Sequence, residues 1–289
     1  MKNTSNVAMS DFWNGEGGEK WLRFQENIEN GLFHFGQEAI TAAMLETGEH
    51  VLDIGCGWGN TTFEIAPRVG PFGGVKGIDI SEIILEQTPS REKLATRFNI
   101  DFECADAQSY SFETKSFDVV YSRFGVMFFN DPVEAFKNIR TALKPSGRIS
   151  FICWQPIEAN EWIQLPLDIA EKYVPLLPRP DPEEPGGFSF GDPNRVKRIL
   201  KKAGFVDIEI TPFNTTFNIG KNINEAVTFL SQIGPASSAF EDPNVSVITK
   251  KMITTELHDK LVFYEKNNGV ELGAAAWVVT AQTGEQPAE

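Results

Sequence analysis

Short apolar runs near residues 50–54, 74–79, 99–104, 117–121 and 147–153 each have the length of a buried strand, and each is bounded by glycine, proline or acidic residues. Between them, apolar positions recur at helical spacing. Strand and helix therefore alternate, which predicts an α/β fold: a mostly parallel sheet, doubly wound with helices on both faces. Residues 1–48 read as a helical segment ahead of the sheet. Trp21, Leu22, Phe24 and Ile28 set one helical stripe, and a second helix is expected over 37–45.

Capping chemistry sharpens several of these elements. Asp131-Pro132-Val133-Glu134 combines a capping aspartate, proline at the first helical position and glutamate at the third. Val133, Phe136, Ile139 and Leu143 would then face the sheet. Pro89 divides 81–98 into two short helices or a kinked one. The stretch 154–191 is the least regular, with a proline-rich run over 175–187 that excludes a regular helix or central strand. Phe188 and Phe190 directly after it favour an anchored lid over a linker. Asp192-Pro193 opens another capped helix that Gly204 ends. A sixth strand is predicted at 205–211, extending or turning back through 213–219. Cap helices follow within 222–266, near 222–233 and 243–266, and a last strand near 273–281. The expected organisation is a 1–48 helical segment and a 49–289 domain carrying the lid and the cap.

The first strand runs into Asp53-Ile54-Gly55-Cys56-Gly57-Trp58-Gly59-Asn60-Thr61. Three glycines at alternate positions make a bare turn, and Asn60-Thr61 can open a helix whose first N–H groups are free. This is a nucleotide-type loop. The dinucleotide fingerprint, however, needs its third glycine where Asn60 stands. The second strand ends in Asp79, whose carboxylate suits both hydroxyls of a ribose.

Asp53-x-Gly55-x-Gly57-x-Gly59, then Gly77-Ile78-Asp79-Ile80-Ser81, Ala105-Asp106-Ala107 and Phe117-Asp118-Val119-Val120-Tyr121-Ser122-Arg123 together resemble the class I S-adenosylmethionine-dependent methyltransferases. The likeness is strongest over 48–154 and is greatest to the branch holding quinone-biosynthesis and small-molecule methyltransferases. It implies a seven-stranded Rossmann-like sheet whose final strand inserts antiparallel between the fifth and sixth. It also implies S-adenosylmethionine as cofactor and S-adenosylhomocysteine as product. Gly55, Cys56 and Gly57 are implied as the cradle for the methionine end, Asp79 with Ile80 beside it as the ribose site, and Asp106 with Ala107 as the adenine contacts. Trp13 and Trp21 belong to an N-terminal pattern that folds over the cofactor in this branch, with Trp21 near the methionine moiety. Trp58 departs from the pattern, since such loops usually carry a small residue there.

Composition bounds the rest. A chain of 289 residues, 41% hydrophobic with 23 phenylalanines, can build a sizeable core. The net charge of -14 argues against nucleic acid as partner, because such binders concentrate positive charge. Lys197, Arg198, Lys201 and Lys202 read as a solvated helix face. Three cysteines without a Cys-x-x-Cys pair argue against disulfide or zinc scaffolding, and Cys56, Cys104 and Cys153 read as small buried residues at strand ends. The polar N-terminus lacks the apolar core of a signal peptide, and no run approaches the roughly 20 apolar residues of a membrane span. A cytoplasmic location is the default expectation.

Methyl transfer is an in-line displacement that needs alignment rather than a metal or a covalent enzyme intermediate. No catalytic triad is therefore expected, and the base is hard to identify. His34 is the one histidine in a segment that could border the pocket, against the plainer reading of a core or surface histidine; His50 and His258 read as structural and solvated. Arg123 emerges at the ligand edge, where it would pair with a carboxylate of cofactor, substrate or protein. Trp154, Asn160 and Trp162 would shape an aromatic substrate pocket or pack under the lid, and Phe124, Phe128 and Phe129 read as walls. The expected reaction is methyl transfer to a small molecule, aromatic or quinone-like, with C-methylation in quinone biosynthesis as the nearest alternative. A nicotinamide-dependent oxidoreductase and a catalytically silent cofactor-binding protein are the alternatives from other classes.

Overall fold

The computed structural model describes residues 6–88, 98–176, 178 and 181–284. Helices α1 (Val7–Trp13), α2 (Glu16–Arg23) and α3 (Gln25–Ala42) precede β1 (His50–Ile54). Then come α4 (Asn60–Val69), β2 (Gly74–Asp79), α5 (Glu82–Leu85), β3 (Asn99–Cys104) and β4 (Phe117–Arg123). Next are α6 (Pro132–Ala142), β5 (Leu143–Trp154), α7 (Glu161–Ala170), α8 (Pro193–Lys202) and β6 (Phe205–Gly220). The chain closes with α9 (Ile223–Leu230), α10 (Ser238–Glu241), α11 (Val247–Leu261), β7 (Glu265–Lys266) and β8 (Gly269–Thr283).

The sheet runs β3-β2-β1-β4-β5-β8-β6, with the two-residue β7 hung on β8. β1 to β5 pair in parallel, whereas β8 is antiparallel to both β5 and β6. The final strand thus lies between the fifth and sixth, as the resemblance implied. Consecutive residues Val51 to Ile54 and Val119 to Ser122 are all buried, so both faces of the sheet are covered. α3 packs across β4, β5, β6 and β8, and α4 packs on β1, β2 and β3. α6 and α8 pack on each other and on β5 and β6 respectively. No helix among the described residues is long and apolar enough to cross a membrane.

The caps read from sequence form. Asp131 accepts bonds from the Val133 and Glu134 amides at 3.1 Å each, and Asp192 caps α8 through Asn194 and Arg195. The paired bonds fix where each helix begins, and so where the preceding loop leaves the ligand edge.

Four expectations need correction. The 37–45 helix is no separate element, because α3 runs unbroken from Gln25 and the break falls at Phe24. The 154–191 stretch contains a regular helix, α7, with Pro166 inside it; its apolar face buries Trp162, Ile163, Leu167 and Ile169, and that burial outweighs one lost backbone bond. Pro89 and the residues after it to 97 lie outside the described residues. Cys104 is exposed rather than buried, because β3 is an edge strand. Finally, Leu143 opens β5 rather than closing the sheet-facing side of α6, which stops at Ala142. Of the two continuations offered for the sixth strand, extension holds: 205–220 is one long strand with a bulge near Asp207, and Pro212 is tolerated there because β6 is the other edge.

The length of β6 and β8 matters for the site. β5 ends at Trp154 opposite Ala276, but β6 and β8 stay paired as far as Gly220 and Val270. This two-stranded ribbon projects beyond the ligand edge and carries Phe217 with it.

Candidate active site

The carboxyl ends of the parallel strands open onto a cavity of about 820 Å³. Strand order divides its lining. Residues after β1, β2 and β3 form one side, residues after β5 and on the β6–β8 ribbon form the other, and the end of β4 lies between.

On the first side, the loop after β1 turns on left-handed glycines, Gly55 at φ +67° and Gly57 at φ +57°. The Gly55 and Cys56 amides both donate to the Ile78 carbonyl, at 2.8 and 3.1 Å. Asp79 fastens the turn further, its Oδ2 accepting from the Gly57 amide at 2.8 Å and its Oδ1 from Ser81 at 2.9 Å. Burial raises the Asp79 pKa above the usual carboxylate value, and those amide bonds oppose the shift. Each oxygen still has a lone pair for a ligand. Asp106 accepts from Gln108, Ser109 and the Asn6 amide, with Ala107 buried beside it.

Asp53 holds the turn from below. It is fully buried, and its Oδ2 accepts from the Thr61 and Thr62 hydroxyls at 2.8 and 2.7 Å. Trp58, the departure from the family pattern, is buried against the core and borders the cavity. Its Nε1 has no hydrogen-bond partner among the described residues.

The N-terminal helices close over this side. Asn14 bonds the Ile80 carbonyl and the Glu82 amide, Ser81 donates to the Trp13 carbonyl, and Asn6 donates to the Phe128 carbonyl. Trp13 packs edge-to-face on Trp21 at 5.5 Å and on Phe128 at 5.1 Å. Both tryptophans line the cavity.

The opposite side is a run of aromatic rings. Phe124, strained at φ +61°, stacks on Trp154 at 4.1 Å. Trp154 meets Trp162 at 5.4 Å, and Trp162 lies parallel to Phe217 of the ribbon at 4.7 Å. Phe229 of α9 continues the run. The loop over 181–191 is tied down across the opening. Gly186 and Ser189 both donate to the Met127 carbonyl, and Phe190 is buried against Phe136 and Phe151.

Between the two sides, Arg123 forms a two-pronged ion pair with Glu29 of α3, with Nη1 3.1 Å from Oε2 and Nη2 2.5 Å from Oε1. Burial opposes the guanidinium charge, but the Glu29 carboxylate more than offsets it and raises the Arg123 pKa.

All the residues assigned to the cofactor from sequence thus meet in one cavity, from Trp21 to Arg123. His34 does not. It is exposed, edge-to-face with Phe33, and absent from the lining, because α3 turns its 28, 32 and 35 positions inward. Asn160 is also absent from the lining; it is buried as a strut between Gln155, Pro156 and the Ala275 amide. His50 and His258 are exposed, as are Lys197, Arg198, Lys201 and Lys202. Glu29, Phe217 and Trp277 line the cavity without having been singled out from sequence. For Glu29 one signal existed: a carboxylate beside inward-facing Ile28 and one heptad before Gly36, on the apolar side of an amphipathic helix.

A methyltransferase-domain family model matches residues 51–147. The demethylmenaquinone methyltransferase of Lactococcus lactis is 31% identical over 175 residues, spanning 56% of this chain and 68% of that protein. The fold is similar to that of the YcgJ protein of Bacillus subtilis, with a TM-score of 0.58 and 17% identity over 88% of this chain and 100% of the other. It is also similar to Haemonchus contortus phosphoethanolamine N-methyltransferase 2, crystallised with phosphomonomethylethanolamine and S-adenosylhomocysteine. There the TM-score is 0.50 and the identity 21%, over 85% of this chain and 52% of that one.

Proposed function

The chain belongs to the class I S-adenosylmethionine-dependent methyltransferases, and we propose that its acceptor is a small aromatic, quinone-like molecule held against the ring wall of the cavity. The observation that carries this reading is the continuous run Phe124, Trp154, Trp162, Phe217 and Phe229 facing the glycine loop across one cavity. Flat rings bury large area and stack offset or edge-on, so such a wall selects a flat apolar ligand. Arg123 is the one basic residue in the lining among the described residues, and Glu29 neutralises it. That charge balance disfavours nucleic acid as acceptor. The finer reading, C-methylation of a quinone precursor, is favoured by the Lactococcus lactis relative and its name.

The first side of the cavity fits the donor. A Cβ on Gly57 would meet nothing closer than Ile84 at 4.0 Å, so the loop backbone faces open space. In this reading Gly55, Cys56 and Gly57 cradle the methionine end under Trp21, Asp79 and Ile80 hold the ribose, and Asp106 and Ala107 hold the adenine. Bound there, S-adenosylmethionine supplies a methyl group on a positively charged sulfonium. The chain's residues supply alignment and the exclusion of water, and alignment accounts for roughly 7–11 kcal/mol of such a barrier. The relatives found are methyltransferases, so the nicotinamide alternative has no support.

Two measurements test the reading. Labelled S-adenosylmethionine, offered with phenols, quinols and amines in parallel, should label the first two; labelling of amines alone would overturn the acceptor class. Asp79→Ala should weaken S-adenosylhomocysteine binding by roughly 1.5–3 kcal/mol in calorimetry, because two charge-assisted bonds are lost. Unchanged affinity would place the ribose elsewhere.

A further inference from the structure

The proposed reaction lacks a proton acceptor, since the only histidine that sequence brought near the cavity is exposed outside it. We propose that Glu29 takes the acceptor's proton, with Arg123 as the residue that positions it; this rests on the aromatic-acceptor reading above.

Four observations converge. First, Glu29 and Arg123 both line the cavity, and their side chains are only 16% and 11% exposed. Second, Arg123 sits at the end of β4, the strand between the cofactor side and the ring wall, and Phe124 at the start of that wall is its neighbour. Third, the other lining carboxylates have different work. Asp79 and Asp106 bind amides at the cofactor side, Asp192 caps α8, and Asp181 caps its own turn. Glu158 is exposed. Fourth, the fold makes room for the pair. A Cβ on Gly36 of α3 would meet the Arg123 Cδ at 3.1 Å, so a glycine inside a helix clears the arginine stem. A buried ion pair adds little stability over apolar residues of the same volume, so stability alone does not explain one facing a cavity.

Each Glu29 oxygen accepts one guanidinium N–H and keeps a lone pair for another donor. In the proposed step the acceptor's O–H, or acidic C–H, proton passes to a Glu29 oxygen. The freed electron pair of the acceptor takes the methyl carbon, displacing neutral S-adenosylhomocysteine, and Glu29 then returns the proton to water. The charged and titratable groups around the pair are Asp53 of β1, Tyr121 of β4, and Glu64 and Arg68 of α4.

Glu29→Gln keeps size and one hydrogen bond to Arg123 but takes no proton. With a phenol that the wild type methylates, turnover should fall about 100-fold or more. The acid limb of the pH–rate profile should disappear, while S-adenosylhomocysteine affinity stays within about twofold. Glu29→Asp should restore part of the limb. A readout without turnover uses 4-nitrophenol bound beside S-adenosylhomocysteine. In the wild type the carboxylate favours the neutral phenol; in Glu29→Gln the released Arg123 favours the coloured phenolate, lowering its apparent pKa by about a unit or more. An unchanged band and unchanged turnover would overturn the role of Glu29, as would a loss of S-adenosylhomocysteine affinity equal to the loss of turnover. A wild type that neither binds nor methylates any phenol would overturn the acceptor reading itself, and the base with it.

Discussion

Gly55→Ala should destabilise the protein by about 2–5 kcal/mol and abolish measurable S-adenosylhomocysteine binding at 25 °C. Two terms add. Alanine in a left-handed conformation costs roughly 1–2 kcal/mol, and Gly55 sits at φ +67°. The new methyl would also lie 2.8 Å from the Gly125 Cα, a backbone atom that cannot rotate away. Overpacking of that kind costs roughly 1–3 kcal/mol. A Cβ on Gly125 would likewise lie 2.9 Å from the Gly55 Cα, so the loops after β1 and β4 pack back to back through two glycines. Gly57→Ala is the control, because its φ is +57° but its Cβ would face open space. That variant should lose roughly 1–2 kcal/mol of stability, with its larger defect in ligand affinity. Urea titration and calorimetry separate the two. Equal stability losses would show that close approach at Gly55 does not matter.

The contrast explains what was legible in the sequence. Strand positions, capped helices and the glycine loop are local signals: apolar runs, Asp-Pro pairs, glycine where φ turns positive. Four of the five early strands form where the pattern puts them and β5 starts four residues early, at Leu143; Asp79 and Asp106 lie at or just past strand ends because chain order alone sends parallel strands to one edge. Relations between distant segments were not local. His34 looked pocket-facing because its neighbours are aromatic, yet the unbroken α3 rotates it outward while burying Leu32 and Phe35. Glu29 reads as an ordinary helix carboxylate until β4 brings Arg123 against it, 94 residues away. Phe217 reads as a strand residue until the length of the β6–β8 ribbon shows that it passes the end of β5. Helix α7 was hidden by its own Pro166. The donor side was therefore readable from motifs, whereas the acceptor side depends on packing among elements from both ends of the chain.

Asp53→Asn should remove a pH dependence of stability that the wild type shows between about pH 4 and 6. Burial raises the Asp53 pKa from 3.8 to about 6, opposed by the Thr62 and Thr61 hydroxyls and by the Arg123 charge. Its Oδ1 has no partner among the described residues, so only one oxygen of the ion is compensated. The sign follows from proton counts. Between the unfolded and folded pKa values the folded state binds more protons, so stability falls as pH rises through the window. Below the unfolded value both states are protonated and no penalty exists. Above pH 6 the whole penalty is present, on the order of 3 kcal/mol for a shift of this size. Between pH 5 and 7 the wild type should therefore lose about 1 kcal/mol relative to the variant in urea titrations. Parallel curves for the two proteins would mean that Asp53 titrates as an ordinary carboxylate. The penalty has a structural return: an ionised Asp53 holds Thr61 and Thr62 at the start of α4, and so fixes the turn on which Gly55 and Gly57 sit. Neutralising it should leave the fold more stable at pH 7 but the loop less well fixed, lowering S-adenosylhomocysteine affinity in the same variant.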